Sequence, residues 1–282
     1  MRIILVAESG ADIPENTASK YDIHIVPMYV VFGGCEKADG AFPVDDIVDY
    51  YKETGDVPGT SAPNIYDFSS MFDGIHEKYP DAGILYLAYS AVTTSSFSNA
   101  GVAIAERDYV RAVDTRQASA GQAAVVIKTA RMLRKHLEWS LEQAAEYAEM
   151  IRDSVKMCFF PVNLDFLRAG GRLSNAATFC GNLLRIVPRV DLCNGVLVAV
   201  RRYRGSLEKM VSKILKEFVK EKELKKDEIW FIVTVGTPEK IKKLAVYTAK
   251  ELGFANIHII NAGGVITVHG GPGAFGIVGC QG

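Results

Sequence analysis

A two-domain α/β architecture, a parallel-sheet domain followed by a second α/β domain, is what the sequence predicts, and three observations predict it. The 282 residues exceed one ordinary small domain. Short β-rich runs alternate with stretches of helical period, the signature of βαβ units. Near residue 155 a polar helical stretch gives way to a fresh strand-like run, so the domains are expected at 1–157 and 158–282.

In chain order, strands are expected at Ile3 to Ala7, Ile23 to Phe32, Ile84 to Tyr89 and Tyr109 to Val113. After the fourth, Ala123, Val126, Ile127, Ala130 and Leu133 share one face of a helix over Ser119 to Lys135 and are expected to pack on a sheet. The polar helix Leu141 to Asp153 precedes the strand-like VKMCFFP at Val155, which opens the second half. There, Leu207, Met210, Val211, Ile214, Leu215, Phe218 and Val219 form a helical stripe behind an expected Ser206 N-cap. A strand at Ile229 to Val235, a helix from Pro238 to Leu252 with proline in its first turn, and a strand at Ile257 to Asn261 complete the pattern. The C-terminus is glycine-dense, and no internal repeat or low-complexity segment is present.

The composition is that of a folded globular protein, 49% hydrophobic and 23% charged. A formal net charge of −1 leaves no global basic field for nucleic acid or an anionic membrane. The basic stretch Lys209 to Lys226 also carries Glu217, Glu221 and Glu223, a mixed-sign solvated helix face. The five cysteines (35, 158, 180, 193, 280) are odd in number and form no C-x-x-C pair, which argues against a disulfide frame, and Cys158 in an apolar run reads as core. The N-terminal run is too short for a signal-peptide core and no window holds ~18 uninterrupted apolar residues, so a cytoplasmic protein without an integral membrane segment is expected.

Gly271, Gly273 and Gly276 satisfy G-x-G-x-x-G, but only six residues follow, too few for the helix, strand and acidic residue of a dinucleotide site. These glycines are expected to permit a tight turn. The P-loop, H-E-x-x-H and G-x-S-x-G strings are absent. The histidines at 24, 76, 136, 258 and 269 are scattered, and a lone histidine is more often a satisfied structural group than a ligand; His269 alone has suggestive neighbours.

Three hydroxyl clusters stand where loops or helices should begin: Glu8-Ser9, Thr60-Ser61-Ala62-Pro63-Asn64, and Ser90 to Ser96. At the carboxyl ends of parallel strands such hydroxyls and helix-terminal amides can converge on an anion. Taken singly, each cluster also suits a helix N-cap.

In order, the clusters resemble the motifs of the DegV family, whose members are similar to the fatty-acid-binding subunit of bacterial fatty acid kinase. Glu8-Ser9 stands where the family has aspartate-serine, Thr60 to Asn64 where it has T-S-Q-P-S, Thr93-Thr94-Ser95-Ser96 where it has L-S-G-T, and Asp114-Thr115 where it has a second aspartate-serine. Gly170-Gly171-Arg172-Leu173-Ser174 and His269-Gly270-Gly271-Pro272-Gly273-Ala274-Phe275-Gly276 are close to the family's G-G-R-[IL]-S and H-x-G-P-G-A-x-G.

The resemblance implies a DegV-like fold, a Rossmann-like N-terminal domain plus a C-terminal α/β domain with the ligand between them. It implies a carrier that is not itself an enzyme and uses no cofactor: a long-chain fatty acid would lie in an enclosed apolar tunnel and present its carboxylate to a separate fatty acid kinase. Carried over by position, Thr60, Ser61, Thr94 and Ser95 would hold the carboxylate, His269 and Gly270 would lie beside it, and Arg172 would face the kinase. Burying roughly 15 methylenes at about 0.8 kcal/mol each gives on the order of 12 kcal/mol gross, so affinity can come from the tail. A carboxylate leaving water needs donors, and neutral hydroxyls supply them. Two other readings use the same crevice: an enzyme acting on a small anionic or phosphorylated ligand with Asp114 or His269 as acid/base, and a regulatory protein with a vestigial cleft.

Overall fold

The computed structural model describes residues 1–173 and 186–282. The first sheet is parallel throughout, in the order β2-β1-β6-β7, from β1 (Ile3–Glu8), β2 (Ile23–Val26), β6 (Gly83–Ala88) and β7 (Val110–Asp114). β1 and β6 are apolar runs buried on both faces, as a covered parallel sheet requires. Helices α3 (Ile65–Lys78) and α4 (Ser96–Ile104) cover one face through Phe68, Phe72 and Ala100.

The single strand expected from Ile23 to Phe32 is two. Pro27 has no N–H to give the ladder, and the chain turns there out of the parallel sheet. β3 (Tyr29–Phe32) becomes the centre of a small antiparallel sheet with β4 (Cys35–Ala38) and β5 (Gly59–Ser61). The second hydroxyl cluster, expected as a loop, thus begins as a strand: Thr60 pairs with Val30 and Ser61 with Tyr29.

The second sheet runs β10-β9-β8-β13-β11-β12 and is mixed. Its strands are β8 (Val155–Phe160), β9 (Ile186–Cys193), β10 (Val196–Arg204), β11 (Leu224–Val233), β12 (Asn256–Asn261) and β13 (Phe275–Gln281). The boundary expected between 157 and 158 lies within β8. The glycine-dense C-terminus holds more than a turn. Gly271 and Gly273 do take positive φ (76° and 78°), but the chain then enters the buried strand β13 between β8 and β11. The α8 stripe (Leu207–Glu221) and α9 (Glu239–Glu251) pack on this sheet; Ser206 holds the N-cap position of α8 without a side-chain cap bond, and Pro238 sits at the N-cap of α9.

Helix α5 (Ser119–Leu133) departs from the one-faced packing its pattern predicts. Ala120, Ala124 and Val125, off the expected stripe, are fully buried because α5 lies between the two sheets, touching β1 and β6 on one side and β8, β11 and β13 on the other. One apolar core therefore joins Leu5, Leu85 and Val125 to Trp230, Ile232 and Val278. Helix α6 (Leu141–Ser154), held by a Ser140–Gln143 capping box, flanks it. Among the described residues no helix is long and apolar enough to cross a membrane.

Candidate functional site

The carboxyl ends of β1 and β6 open toward the small sheet and toward two short helices, α7 (Leu164–Gly170) and α10 (Gly264–Gly270). Two adjoining chambers lie there. The polar one, about 260 Å3, is bordered by Thr60, Ser61, Thr94, Ser95, Arg172 and His269. The apolar one, about 50 Å3, is walled by Met157, Phe159, Ile232, Ile266, Gly270 and Phe275 among others. Tyr89, Ala118, Leu197 and His269 border both. Helix α10 supplies both linings by its period: Val265 and His269, four apart, face the polar chamber, while Ile266 and Gly270 face the apolar one.

His269 is half-buried, with its ring set into the protein, and its Nε2 lies 2.9 Å from Thr60 Oγ1. Burial, with Arg172 nearby, pushes its pKa down to about 4, so the ring is neutral at physiological pH. Its Nδ1 has no hydrogen-bond partner among the described residues. The ring sits against Gly170, where a Cβ would come within 2.5 Å of Nδ1, which accounts for a small residue in the Gly170-Gly171-Arg172 string.

The hydroxyls are not all free to serve a ligand. Ser61 Oγ donates to Glu36 Oε1 at 2.5 Å. Thr93 Oγ1 donates to the Ser90 carbonyl at 2.9 Å. Thr94 Oγ1 accepts from the Ser96 amide and lies 3.1 Å from Ser96 Oγ, so its own proton can point into the chamber. Ser95 stands at the N-cap of α4 but makes no cap bond, so the capping role open to this cluster in the sequence falls to Thr94. The Thr60 cluster does end in a cap, because Asn64 and Asp67 form a capping box on α3.

Arg172 lies on the rim, where Nη1 donates to the Gly170 carbonyl at 2.8 Å and Nε to the Thr93 carbonyl at 3.3 Å. Gly171, at φ 61°, ends α7, and Leu173 then bridges to Leu197 of β10, which sets where Arg172 emerges. Ser174, the last residue of that motif, lies outside the described residues.

The remaining motif residues build the scaffold. Glu8 is fully buried, and its carboxylate accepts from Tyr86 Oη at 2.5 Å, Gln122 Nε2 at 2.7 Å and the Tyr89 amide at 3.0 Å. Burial raises its pKa, and these donors oppose that. Glu8 thereby fixes Tyr89 between the chambers. Ser9 Oγ accepts from the Met28 amide and donates to Asp39. Asp114 accepts from the Ala91 and Arg116 amides and borders neither chamber.

Thus Thr60, Ser61, Thr94, Ser95, Arg172 and His269 meet around one chamber, and Gly270 lines its neighbour. Met28, Tyr89, Leu192, Leu197 and, apart from His269 and Gly270, the apolar wall were not expected from the sequence. Leu192 and Leu197 flank the Asn194-Gly195 turn of the β9–β10 hairpin, and that dipeptide was an available signal.

The DegV family model, described as "Uncharacterised protein, DegV family", matches residues 2–281. A protein of Thermotoga maritima named "Fatty acid-binding protein" is 31% identical over 288 residues, covering 98% of this chain and 96% of its own. Among solved structures, one described as fatty acid binding of a DegV family protein from Thermus thermophilus has a TM-score of 0.89 at 28% identity, covering 100% of both chains. A second, described as a DegV lipid binding protein from Thermotoga maritima, has a TM-score of 0.84 at 27% identity, covering 99% of each.

Proposed function

The chain belongs to the DegV family, and from that premise we propose that it binds one long-chain fatty acid, head group in the polar chamber and tail in the apolar one, and presents the carboxylate to a separate kinase for conversion to an acyl phosphate. The observation that carries this reading is the junction itself: a chamber of neutral hydroxyls and a neutral histidine continues into an apolar chamber across Tyr89, Ala118, Leu197 and His269.

With the proton on Nε2, His269 donates to Thr60 Oγ1 and frees the Thr60 proton for a carboxylate oxygen; the bare Nδ1 lone pair is then a lesser loss than a bare N–H. Thr94 supplies a second donor. Neutral donors satisfy the anion without a tight ion pair and leave an oxygen open to phosphorylation, while Arg172, the one charged side chain among the described residues of the polar lining, would face the kinase. This reading carries the expectation of a cytoplasmic carrier.

The 50 Å3 of the apolar chamber is far below the volume of a long tail, so a tail enters by displacing side chains into a longer enclosed tunnel. Met157, unbranched with three rotatable bonds, yields most easily. Native mass spectrometry and organic extraction of protein purified from a bacterial host are expected to give about one fatty acid per chain, since a ligand enclosed this way leaves slowly. Repeated recovery of nothing, or of detergent alone, would overturn the reading.

A further inference from the structure

Two carboxyl side chains outside the lining of both chambers converge on the first turn of α10. Asp12 Oδ1 accepts from the Gly263 amide at 2.8 Å, and Asp39 Oδ1 accepts from the Gly264 amide at 2.7 Å. Each is held in turn: Asp12 Oδ2 accepts from Ser119 Oγ, and Asp39 Oδ2 accepts from Ser9 Oγ at 2.9 Å. Neither Gly263 nor Gly264 has a positive φ, so backbone freedom is not what glycine provides here. It provides room. A Cβ on Gly263 would lie 3.2 Å from both Asp12 Oδ1 and Asp39 Oδ1, and one on Gly264 would lie 2.9 Å from Asp39 Oδ1 and 2.8 Å from the Phe42 ring.

Asp39 also ties the opposite wall. Its amide donates to the Met28 carbonyl at the head of β3, and β3 pairs with β5, which carries Thr60. One residue therefore joins the sheet bearing Thr60 to the helix bearing His269. Fixing two successive amides sets the helical phase of α10 as well as its position. Because Val265 lines the polar chamber, Ile266 and Gly270 the apolar one, and His269 borders both, rotation by one residue, 100°, would take His269 away from Thr60 and misplace both linings.

We propose that Asp12 and Asp39 are positioning residues, a two-carboxylate clasp that sets the phase of α10 and so holds His269 against Thr60 for recognition of the head group. The proposal rests on the fatty-acid reading for its ligand but not for its geometry. Its test reads both. Protein with 15N-labelled histidine gives the His269 ring signals, assigned with His269→Gln, and the delipidated protein is titrated with a fluorescent long-chain fatty acid.

Asp39→Ala is expected to shift the His269 ring signals and weaken binding about tenfold. Asp39→Asn, which keeps an acceptor for the Gly264 amide, is expected to restore both to within about twofold of wild type. Gly263→Ala presses on both Asp12 and Asp39 and wedges the clasp by a few tenths of an ångström while leaving both side chains in place, is expected to repeat the Asp39→Ala result, and decides the matter if Asp39→Ala does not fold. Unchanged ring signals in Asp39→Ala or Gly263→Ala, alongside lower melting temperatures, would overturn the clasp and leave ordinary domain glue. Shifted ring signals in a protein whose wild type takes up no fatty acid would retain the clasp and reject the ligand.

Discussion

Thr93 and Thr94 are adjacent, chemically identical, and committed differently. Thr93 Oγ1 gives its proton to the Ser90 carbonyl, whereas Thr94 Oγ1 accepts from the Ser96 amide and, where Ser96 Oγ donates to it as well, has its own proton for a ligand. Thr94→Val preserves shape and removes that donor, leaving a bound carboxylate underbonded at a cost of about 1.5 to 3 kcal/mol, so fatty-acid affinity is expected to fall at least roughly tenfold. Thr93→Val is expected to cost some stability and leave affinity near wild type; titration of both with a fluorescent fatty acid, with far-UV spectra as a folding check, rejects the assignment if Thr93→Val loses more. Ser61 offers the reverse test. Its hydroxyl is held by Glu36, so Glu36→Ala is expected to free it and tighten binding by up to about tenfold, the worth of one hydrogen bond; weaker binding would mean that Glu36 orients Ser61 for the ligand. At this scale the polar half of the site was legible, because hydroxyl, histidine and glycine strings are rare enough to mark. Tyr89 and Leu197 were not, since an apolar side chain lining a chamber has the same sequence signature as one filling a core.

Between residue and fold, the β9–β10 hairpin borders the site from the six-stranded sheet. Its turn puts Asn194 at φ 48° and Gly195 at φ 84°, and the Gly195 carbonyl accepts from Ser90 Oγ at 2.7 Å, one turn from the Thr93–Thr94 pair. A Cβ at Gly195 would stand 2.5 Å from that oxygen as well as straining the backbone. Gly195→Ala is therefore expected to destabilise by about 1 to 3 kcal/mol and to speed fatty-acid release, because Leu192 and Leu197 lose their anchor. Stopped-flow release and thermal melts against Ser90→Ala separate the causes: a melting loss without faster release would mean the hairpin does not guard the chamber. The long helix α8 was legible from its spacing, and the buried part of β11, from Ile229, from its continuous apolar run, though its start, from Leu224 to Glu228, was not. The strands β3, β4 and β5 were not, because three or four residues carry too little period and Pro27 hides a change of sheet inside one apolar run. Helix α5 was found but its surroundings were not, since the small residues of its first half, Ser119 to Ala124 apart from Gln122, signal burial on all sides only once both sheets are in view.

On the scale of the whole molecule, the clasp and the neutral histidine make opposite demands on protons, and the sum is measurable. Burial raises the Asp12 pKa from 3.8 to about 8, so the folded state holds a proton that the unfolded chain has released, and the resulting stabilisation, complete below pH 3.8, is lost as pH rises through 8. His269 falls from 6.5 to about 4, so the unfolded chain binds the extra proton, and stability present above pH 6.5 is lost as pH falls toward 4. Each slope is about 1.4 kcal/mol per pH unit where it acts. From pH 4 to 6.5 the two cancel; from 6.5 to 8 Asp12 acts alone and removes about 2 kcal/mol. Asp39 and Glu8, also raised by burial, bend the curve the same way as Asp12, so the informative quantity is the difference between wild type and variant. Urea denaturation across this range is expected to show stability falling from pH 6.5 to 8 in wild type and falling less in Asp12→Asn, while His269→Gln extends the decline down toward pH 4. If Asp12→Asn keeps the full decline, the proton is held elsewhere, and Asp12 meets the Gly263 amide as an ordinary ionised carboxylate.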